Sequence, residues 1–556
     1  MEIREGREAP LRFVILCNSP NVEAWQAECI REAIASGAAT VAGVVVRNNA
    51  APPSGLDKWT KRWRDRSILA WRLFDRFCVR PFSKAVAPVD LFPLIGNAPR
   101  IADSPVSVGK YGQTLDAPTI EFVRSLKPDF ILRFGYGILK GDILDVAPYG
   151  IWSYHHGDPA SFRGQPPGFW EIFNGAKTAG VILQVLGAEL DGGRILHRGT
   201  FAVTPQSYAK TRDTLYLGST SFVARTCRDI LANGWREERP TESRALGPVY
   251  RQPTTRQVAR FAILSLLARV SAFHKYRWTR QSWNCAVVPQ PIHIVAGLAG
   301  PNPQRDALRS AVWMSPGRDE FYADPFGFKR GASRFQIFFE RFRWSADRGD
   351  IATTVFDGNT FEPCTTAFEA PTHLSYPYVV RRGDRHVFIP EHSAAREVCS
   401  FEFDDQGVAI GKVPIFPETD MIDTTFVEQG GRIWAFALID NHAKNTHLHL
   451  FHAESYDGPW LAHCLNPIKS DVRSSRPAGT PFEHEGKLFR PAQDCSSVYG
   501  GAVTVNQIVI MTPTDFFEIE VSSVRPLSDG DYLDGLHTLS KMEDCTLIDG
   551  ARRMRG

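Results

Sequence analysis

Four short strand–turn–strand units recur at nearly even spacing in the second half of this chain, and no other feature restricts its fold as much. Ala323-Asp324-Pro325-Phe326 is followed by GASRFQIFFE, and Ser375-Tyr376-Pro377-Tyr378 by GDRHVFIPE. Ile422-Asp423-Thr424-Thr425-Phe426 is followed by GGRIWAFAL, and Arg476-Pro477-Ala478-Gly479 by EGKLFRPAQD. Starts at 324, 377, 423 and 476 give intervals of 53, 46 and 53 residues. A unit of this size cannot bury its apolar faces alone, but units stacked around an axis can, as the blades of a propeller do. From about residue 320 onward, short strands alternate with Gly- and Asp-rich turns, and long helical periods disappear. Four blades are legible, and the C-terminus with the segment just before 320 supplies a fifth that closes the ring. The competing reading is a β-sandwich whose strands match by chance.

The first third has a different rhythm. Leu11 to Cys17 (LRFVILC) is a short apolar run followed at once by Asn18-Ser19-Pro20, a turn and helix-start signal. A helix-period stretch runs to about Ser36, then a β-branched run from Thr40 to Val46. Further strands are predicted at Asp129 to Arg133 and Gly150 to Tyr154. Strands separated by helices imply βαβ units and a parallel sheet covered on both faces. In such sheets ligands sit outside the carboxyl ends of the strands, which directs attention to the loop after Tyr154.

At 556 residues the chain exceeds what one core supports, so several domains are expected. The reading divides it into an α/β domain at 1–234, a helical connector at 235–290 and the propeller at 291–556. Lys+Arg 64 against Asp+Glu 61 is too balanced for a dedicated nucleic-acid binder. No apolar run reaches the length of a membrane span, and the first twelve residues do not read as a signal peptide. Ten cysteines lie scattered without a C-x-x-C pair, so neither a disulfide scaffold nor a metal site is expected. The expected location is cytoplasmic. Two stretches stand out by charge: residues 249–283 hold seven Arg/Lys and no acidic residue, and 58–84 hold nine basic and two acidic residues interleaved with Trp59, Trp63, Trp71 and Phe74. They read first as helices with packed aromatic faces and solvated Arg faces. Peripheral contact with an anionic membrane is the alternative.

The chemistry concentrates in 150–196. A buried strand ends in His155 and His156, and a loop with Asp158, Arg163, Gly164 and two prolines opens a helix near Gly168. After another strand, Leu190-Asp191-Gly192-Gly193 places a carboxylate in a tight turn. A His oriented by an Asp is an acid–base arrangement, because the carboxylate fixes the tautomer and stabilises the imidazolium.

These residues resemble the formyltransferase family, which includes methionyl-tRNA formyltransferase, glycinamide ribonucleotide transformylase and the sugar N-formyltransferases. The resemblance covers about 11–205, is strongest over 129–200, and continues weakly in GPVYRQPTTRQ. It implies His155 in the place of the family's His, Arg163-Gly164 in the place of its Arg-Gly and Asp191 in the place of its Asp. It also implies formyl transfer from 10-formyltetrahydrofolate to an amine, with His155 stabilising the oxyanion and Asp191 supporting proton transfer. Phe134-Gly135-Tyr136-Gly137-Ile138-Leu139 resembles the loop whose backbone reads the pterin, so Phe134, Gly135, Tyr136, Ile138, Leu139 and Asp158 are the implied cofactor contacts. Two positions depart from the pattern: Ser153 stands where the family has Asn, and Gly157-Asp158-Pro159-Ala160 replaces an SLLP-like segment. A Ser hydroxyl can donate one hydrogen bond, which makes Ser153 a candidate catalytic group as a weakened oxyanion donor, but it is shorter than an Asn amide and cannot fill the same place without a shift or a water.

The second half resembles the five-bladed, glycoside hydrolase family 43-like domain at the N-terminus of plant glucosamine inositolphosphorylceramide transferase and its bacterial relatives. Ala323-Asp324-Pro325, Ser375-Tyr376-Pro377, Asp457-Gly458-Pro459-Trp460, Ser475 to Gly479, Arg490 to Asp494 and His537-Thr538 carry the likeness. By that resemblance Asp324 lies where related hydrolases hold a base, Asp423 occupies the matching place in the third blade and Glu391 ends a second-blade strand. Paired carboxylates suit glycoside cleavage, whereas Arg476, Arg490, Gln493 and His537 suit a carbohydrate-binding mouth equally well. The leading expectation is an enzyme that formylates an amino-sugar acceptor, nucleotide- or lipid-linked, in cell-surface glycan or glycolipid synthesis, with the propeller gripping the glycan. The alternatives are a non-catalytic carbohydrate-binding protein and a glycosidase or transglycosylase working through the propeller.

Overall fold

The computed structural model describes residues 9–48, 68–109, 112–187, 193–235, 247–331, 334–439 and 443–555. They divide into two compact units, 1–272 and 273–556. The first is built on a seven-stranded sheet: β1 (Leu11–Cys17), β2 (Ala39–Arg47), β3 (Arg100–Asp103), β4 (Phe130–Phe134), β5 (Ile151–His155), β6 (Thr178–Val185) and β7 (Arg194–Ala202). Their spatial order is β7-β6-β5-β4-β1-β2-β3. Five strands, β1 to β5, are parallel, while β6 and β7 add to one edge antiparallel. The central strand reads as a largely apolar run because both its faces are covered; in β1 every residue but Arg12 is buried. One cover is α1 (Ala24–Ala35), which opens with a capping box between Glu23 and Gln26 and buries Trp25, Ala27, Cys29, Ile30 and Ala33.

Connections leave β1 toward β2 on one side and return to β4 on the other. This topological switch makes a crevice at the carboxyl ends of β1 and β4. There the Asn18 side chain accepts a hydrogen bond from the Tyr136 backbone N–H at 3.0 Å. Gly135 is required at that crossing. Its φ is +109°, and a Cβ on it would lie 2.3 Å from the Asn18 amide.

The second unit is a succession of antiparallel sheets. Four begin with Glu320–Lys329, Ser375–Arg382, Met421–Gln429 and Phe482–His484 and are built from strands consecutive in sequence. The last sheet joins the two ends of the unit: Thr279–Val288 pairs along its whole length with Cys545–Arg555, flanked by Val312–Trp313 and Leu539–Met542. Thr279–Val288 thus lies within the stretch read from sequence as a connector. The repeat has a backbone cause. Asp324, Tyr376 and Asp423 have φ of 52°, 46° and 51°, each at a break in register within the first strand of its sheet. These are bulges that turn the strand and re-aim the bulged side chain.

Candidate functional site

Two clusters of chemistry-bearing side chains stand out, one in each unit. In the first, Ser153 and His155 are two residues apart on β5 and so face the same side of the sheet. Arg133 lies directly opposite Ser153 on β4. Its guanidinium donates from Nη1 to the Ser153 hydroxyl at 2.9 Å and from Nη2 to the carbonyls of Tyr136 and Gly137 at 2.8 and 2.9 Å, while Nε, also buried, has no partner. Burial pulls the Arg133 pKa below its ordinary value. The His155 ring lies over Gly157, where a Cβ would come within 3.2 Å of Nε2. Arg133 is the residue that sequence reasoning missed. Its signal was a lone cation ending an otherwise apolar buried strand, Phe130-Ile131-Leu132-Arg133.

The neighbours take other roles. His156 is enclosed by Trp25, Tyr154 and Tyr216, the last at 4.0 Å, and burial, with the adjacent His155, lowers its pKa to about 3. It is a neutral packing group. Asp158 caps its own turn, accepting from the Ala160 N–H at 2.9 Å, and pairs with Arg198 at 3.2 Å. Arg163 and Gly164 form a two-residue parallel pairing with Val249-Tyr250, and Arg163 Nε donates to the Gly247 carbonyl at 2.9 Å. A Cβ at Gly164 would lie 1.9 Å from the Tyr250 carbonyl oxygen, which accounts for the glycine. Phe162 and Trp170 both stack on Tyr250.

The side chains of Phe134, Tyr136 and Leu139 are core residues, so contact with a ligand there falls to the backbone and to the partly exposed Ile138. Burial also raises the Tyr136 hydroxyl pKa. Beside this loop, a Cβ at Gly137 would meet the Gln113 amide at 3.4 Å, and Gln113 Nε2 is a second buried donor without a partner. Two such orphaned donors thus flank residues 134–139, and a buried donor left unmet is costly unless a ligand supplies an acceptor. Asp191 lies outside the described residues.

In the second unit the bulges carry two predicted carboxylates into polar clusters. Asp423 accepts a fork from Arg476, Nε at 2.6 Å and Nη2 at 3.2 Å, and a further bond from Gln493 Nε2 at 3.2 Å. Its own N–H reaches Glu391 at 3.4 Å, and Arg476 Nη1 donates to Asn445 at 3.0 Å. Burial pushes the Asp423 carboxyl up to about 7 against the pull of Arg476, and the guanidinium is held firmly protonated by that carboxylate. Asp324 accepts from the Thr538 hydroxyl at 2.8 Å and lies 3.7 Å from His537, which also contacts Asp549 at 2.5 Å. Burial raises Asp324 to about 6, offset in part by His537. Burial alone would lower His537, but Asp549 and Asp324 raise it above the ordinary value. Trp283 stacks on the His537 ring at 3.8 Å.

Asp324, His537 and Asp549 each offer one ligand atom within 4.8 Å of the others; the His537 ring contacts Asp549, and the Asp324 backbone N–H donates to Asp549 at 3.1 Å. Asp549 was missed; a carboxylate between Ile548 and Gly550 in the last apolar strand was its sequence signal. Arg490 does not join either cluster. It is fully buried against Glu518, with bonds of 2.6 and 3.0 Å, beside Lys469.

With this geometry in view, the comparisons divide along the same line. Residues 109–216 match the family model for formyl transferase, and residues 309–529 match that for the N-terminal region of glucosamine inositolphosphorylceramide transferase 1. The first unit thus carries a formyltransferase-like α/β domain with a parallel sheet, and the second is a β-rich region of the other kind. Glucosamine inositolphosphorylceramide transferase 1 of Oryza sativa subsp. japonica is 32% identical over 209 residues, covering 36% of this chain and 28% of that protein. Methionyl-tRNA formyltransferase of Borrelia duttonii (strain Ly) is 37% identical over 90 residues, covering 16% of this chain and 29% of that protein. The chain therefore spans less than a third of either relative's length. Among solved structures, an exo-beta-1,3-galactanase from Phanerochaete chrysosporium is 10% identical, covers 40% of this chain and 58% of that one, and has a TM-score of 0.31.

Proposed function

We propose that the first unit transfers a formyl group from 10-formyltetrahydrofolate to the amine of an amino sugar, and that the second, as a five-bladed propeller, holds the glycan. The observation that carries this reading is the Arg133–Ser153–His155 face at the carboxyl end of the parallel sheet, inside the segment that matches formyl transferase. 10-Formyltetrahydrofolate, when bound, supplies the formyl carbon as an electrophile. The acceptor nitrogen forms a bond to that carbon, the bond from the carbon to the donor nitrogen breaks, and the proton lost by the amine ends on that nitrogen.

Arg133 takes over the task that the family's Asn performs. A half-buried guanidinium presented to the formyl oxygen stabilises the charge developing there more than a neutral amide would, since it is positively charged and already oriented by Ser153 and two carbonyls. His155 holds the proton in transit, with Asp191 as its orienting partner. The amino-sugar assignment draws on the propeller half, whose relatives bear the name of a glucosamine transferase. Mass spectrometry of an amino-sugar panel incubated with 10-formyltetrahydrofolate tests the reading: the wild type gains one formyl group on the sugar and His155→Ala gives none. Equal yield from His155→Ala would refute it.

A second reading has one observation in its favour. The bulges at Asp324 and Asp423 bury two carboxylates at matching places in their sheets, and burial pushes both upward, toward the range an acid–base pair uses at neutral pH. Hydrolysis of aryl glycosides that disappears in Asp324→Asn would establish it; no hydrolysis by the wild type would dismiss it.

A further inference from the structure

We propose that a cavity in the first unit is a phosphate site for the acceptor, an inference that rests on the formyl-transfer reading for its purpose but not for its evidence. The cavity holds about 530 Å³ and is lined by Arg72, Arg76, Arg80 and Arg212, with Asp75 and Tyr216 among the remaining walls. Asp75 lies among these guanidinium groups and accepts from Arg80 Nε at 2.8 Å and Arg212 Nη1 at 2.7 Å.

Arg212 is the decisive residue. Its side chain is 7% exposed, its Nε reaches the Ser83 hydroxyl at 3.3 Å, and its buried Nη2 has no partner. A desolvated guanidinium N–H without an acceptor is costly unless a ligand supplies one. Planar forks converging on one cavity match the oxygens of a phosphate or pyrophosphate, and the volume is that of a small-molecule site. Tyr216 lines the cavity and packs at 4.0 Å on His156, the residue after His155, so a ligand anchored by its phosphate would extend toward the strand end. The chemistry is that of a phosphate ester, carried either by a nucleotide or by a lipid.

Calorimetric titration of the full chain with inorganic pyrophosphate, without folate, tests this independently of turnover. The wild type should bind, and both Arg212→Gln and Arg76→Gln should weaken binding at least tenfold with unchanged circular dichroism. Arg76 is the control should the buried substitution fail to fold. Displacement by uridine diphosphate identifies a nucleotide source, and displacement by monomeric dihexanoyl phosphatidic acid a lipid one. No heat with pyrophosphate, displacement by neither compound, or unchanged affinity in Arg76→Gln would overturn the site whether or not formyl transfer occurs.

A separate observation concerns the surface near this cavity, and from it we infer docking on an anionic lipid surface. On the helix Thr255–Trp278, Ile263, Leu266, Leu267 and Val270 are exposed by 58 to 60% and recur at helical spacing. Leu69, Phe77 and Phe82 are exposed by 52 to 72% on the neighbouring helical stretch, which meets that helix through Phe74 and Phe261 at 5.9 Å. Apolar side chains this exposed mark an interaction surface. The seven basic and no acidic residues of 249–283 decide its occupant. A second copy would set like charges against each other, and the chain's balance of 64 Lys+Arg against 61 Asp+Glu argues against a nucleic-acid partner, whereas an anionic bilayer satisfies both the charge and the apolar stripe. The full chain should sediment with phosphatidylglycerol-containing vesicles but not with pure phosphatidylcholine, and Ile263→Glu with Leu267→Glu should reduce the bound fraction at least fivefold. Failure to sediment with either vesicle would overturn the proposal, as would self-association or binding of bulk tRNA through the same residues without vesicle binding.

Discussion

Replacing Arg476 with Met removes the counter-charge from a carboxylate that has no access to water, since the Asp423 side chain is 2% exposed. The substitution keeps the volume, so its effect is the loss of the fork at 2.6 and 3.2 Å and of the bond to Asn445. Breaking a buried pair in this way costs about 3–5 kcal/mol. The loss carries a pH signature. Burial raises Asp423 in the folded unit to about 7, so the stability from its protonation is complete below the ordinary carboxylate range and is lost as pH rises through 7. Without Arg476 the carboxyl rises further and stays protonated, so above pH 7 the folded variant keeps a proton that both the wild type and the unfolded chain have released. Because the wild type itself releases the rest of its proton over this interval, the deficit should be about 1 kcal/mol larger at pH 8 than at pH 7, and should shift the melting temperature by roughly 2–4 °C more at the higher pH. Scanning calorimetry of wild type and variant at pH 6, 7 and 8 measures this. A deficit that is equal at all three values, or smaller at pH 8, would show that Asp423 is not a buried charge held by Arg476.

Gly164→Ala should destabilise the first unit by at least about 2 kcal/mol in chemical denaturation, because the new Cβ meets the Tyr250 carbonyl at 1.9 Å and φ is +105°. Arg133→Met should lower kcat about 10²–10³-fold with the acceptor KM little changed, as loss of an oxyanion donor does. His155→Ala and Asp191→Asn should each abolish turnover, and the double variant should be little worse than either in single-turnover assays, because members of one unit are non-additive.

The parts that could be read from sequence are those written in local patterns. β1 and β4 are apolar runs each interrupted by one arginine, and Asp324 and Asp423 stand at the same place in their repeats because the same left-handed bulge recurs there. Proline after Asp324 and Tyr376 marked the spot, although positive φ at a non-glycine residue leaves no signature of its own. What escaped was pairing across long separations. Arg476-Pro477 and Arg490-Pro491 are indistinguishable as dipeptides, yet one guanidinium reaches Asp423, 53 residues away, and the other Glu518, 28 residues away. Phe134, Tyr136 and Leu139, read from sequence as cofactor contacts, have their side chains in the core, a placement that the local motif does not reveal. Arg133 was hidden for the opposite reason: its partner Ser153 is adjacent only once β4 and β5 pair.

The central claim is that the first unit moves a formyl group to an amine. The most direct measurement supplies 10-formyltetrahydrofolate with an isotope-labelled formyl carbon to the full chain with an amino-sugar panel and follows that carbon by nuclear magnetic resonance. The account predicts that the label appears as a formamide on the sugar nitrogen with the wild type, and that it stays on the folate with His155→Ala. Label that leaves the folate as free formate at equal rates in the presence and absence of amino sugar, with no formamide formed, would contradict it.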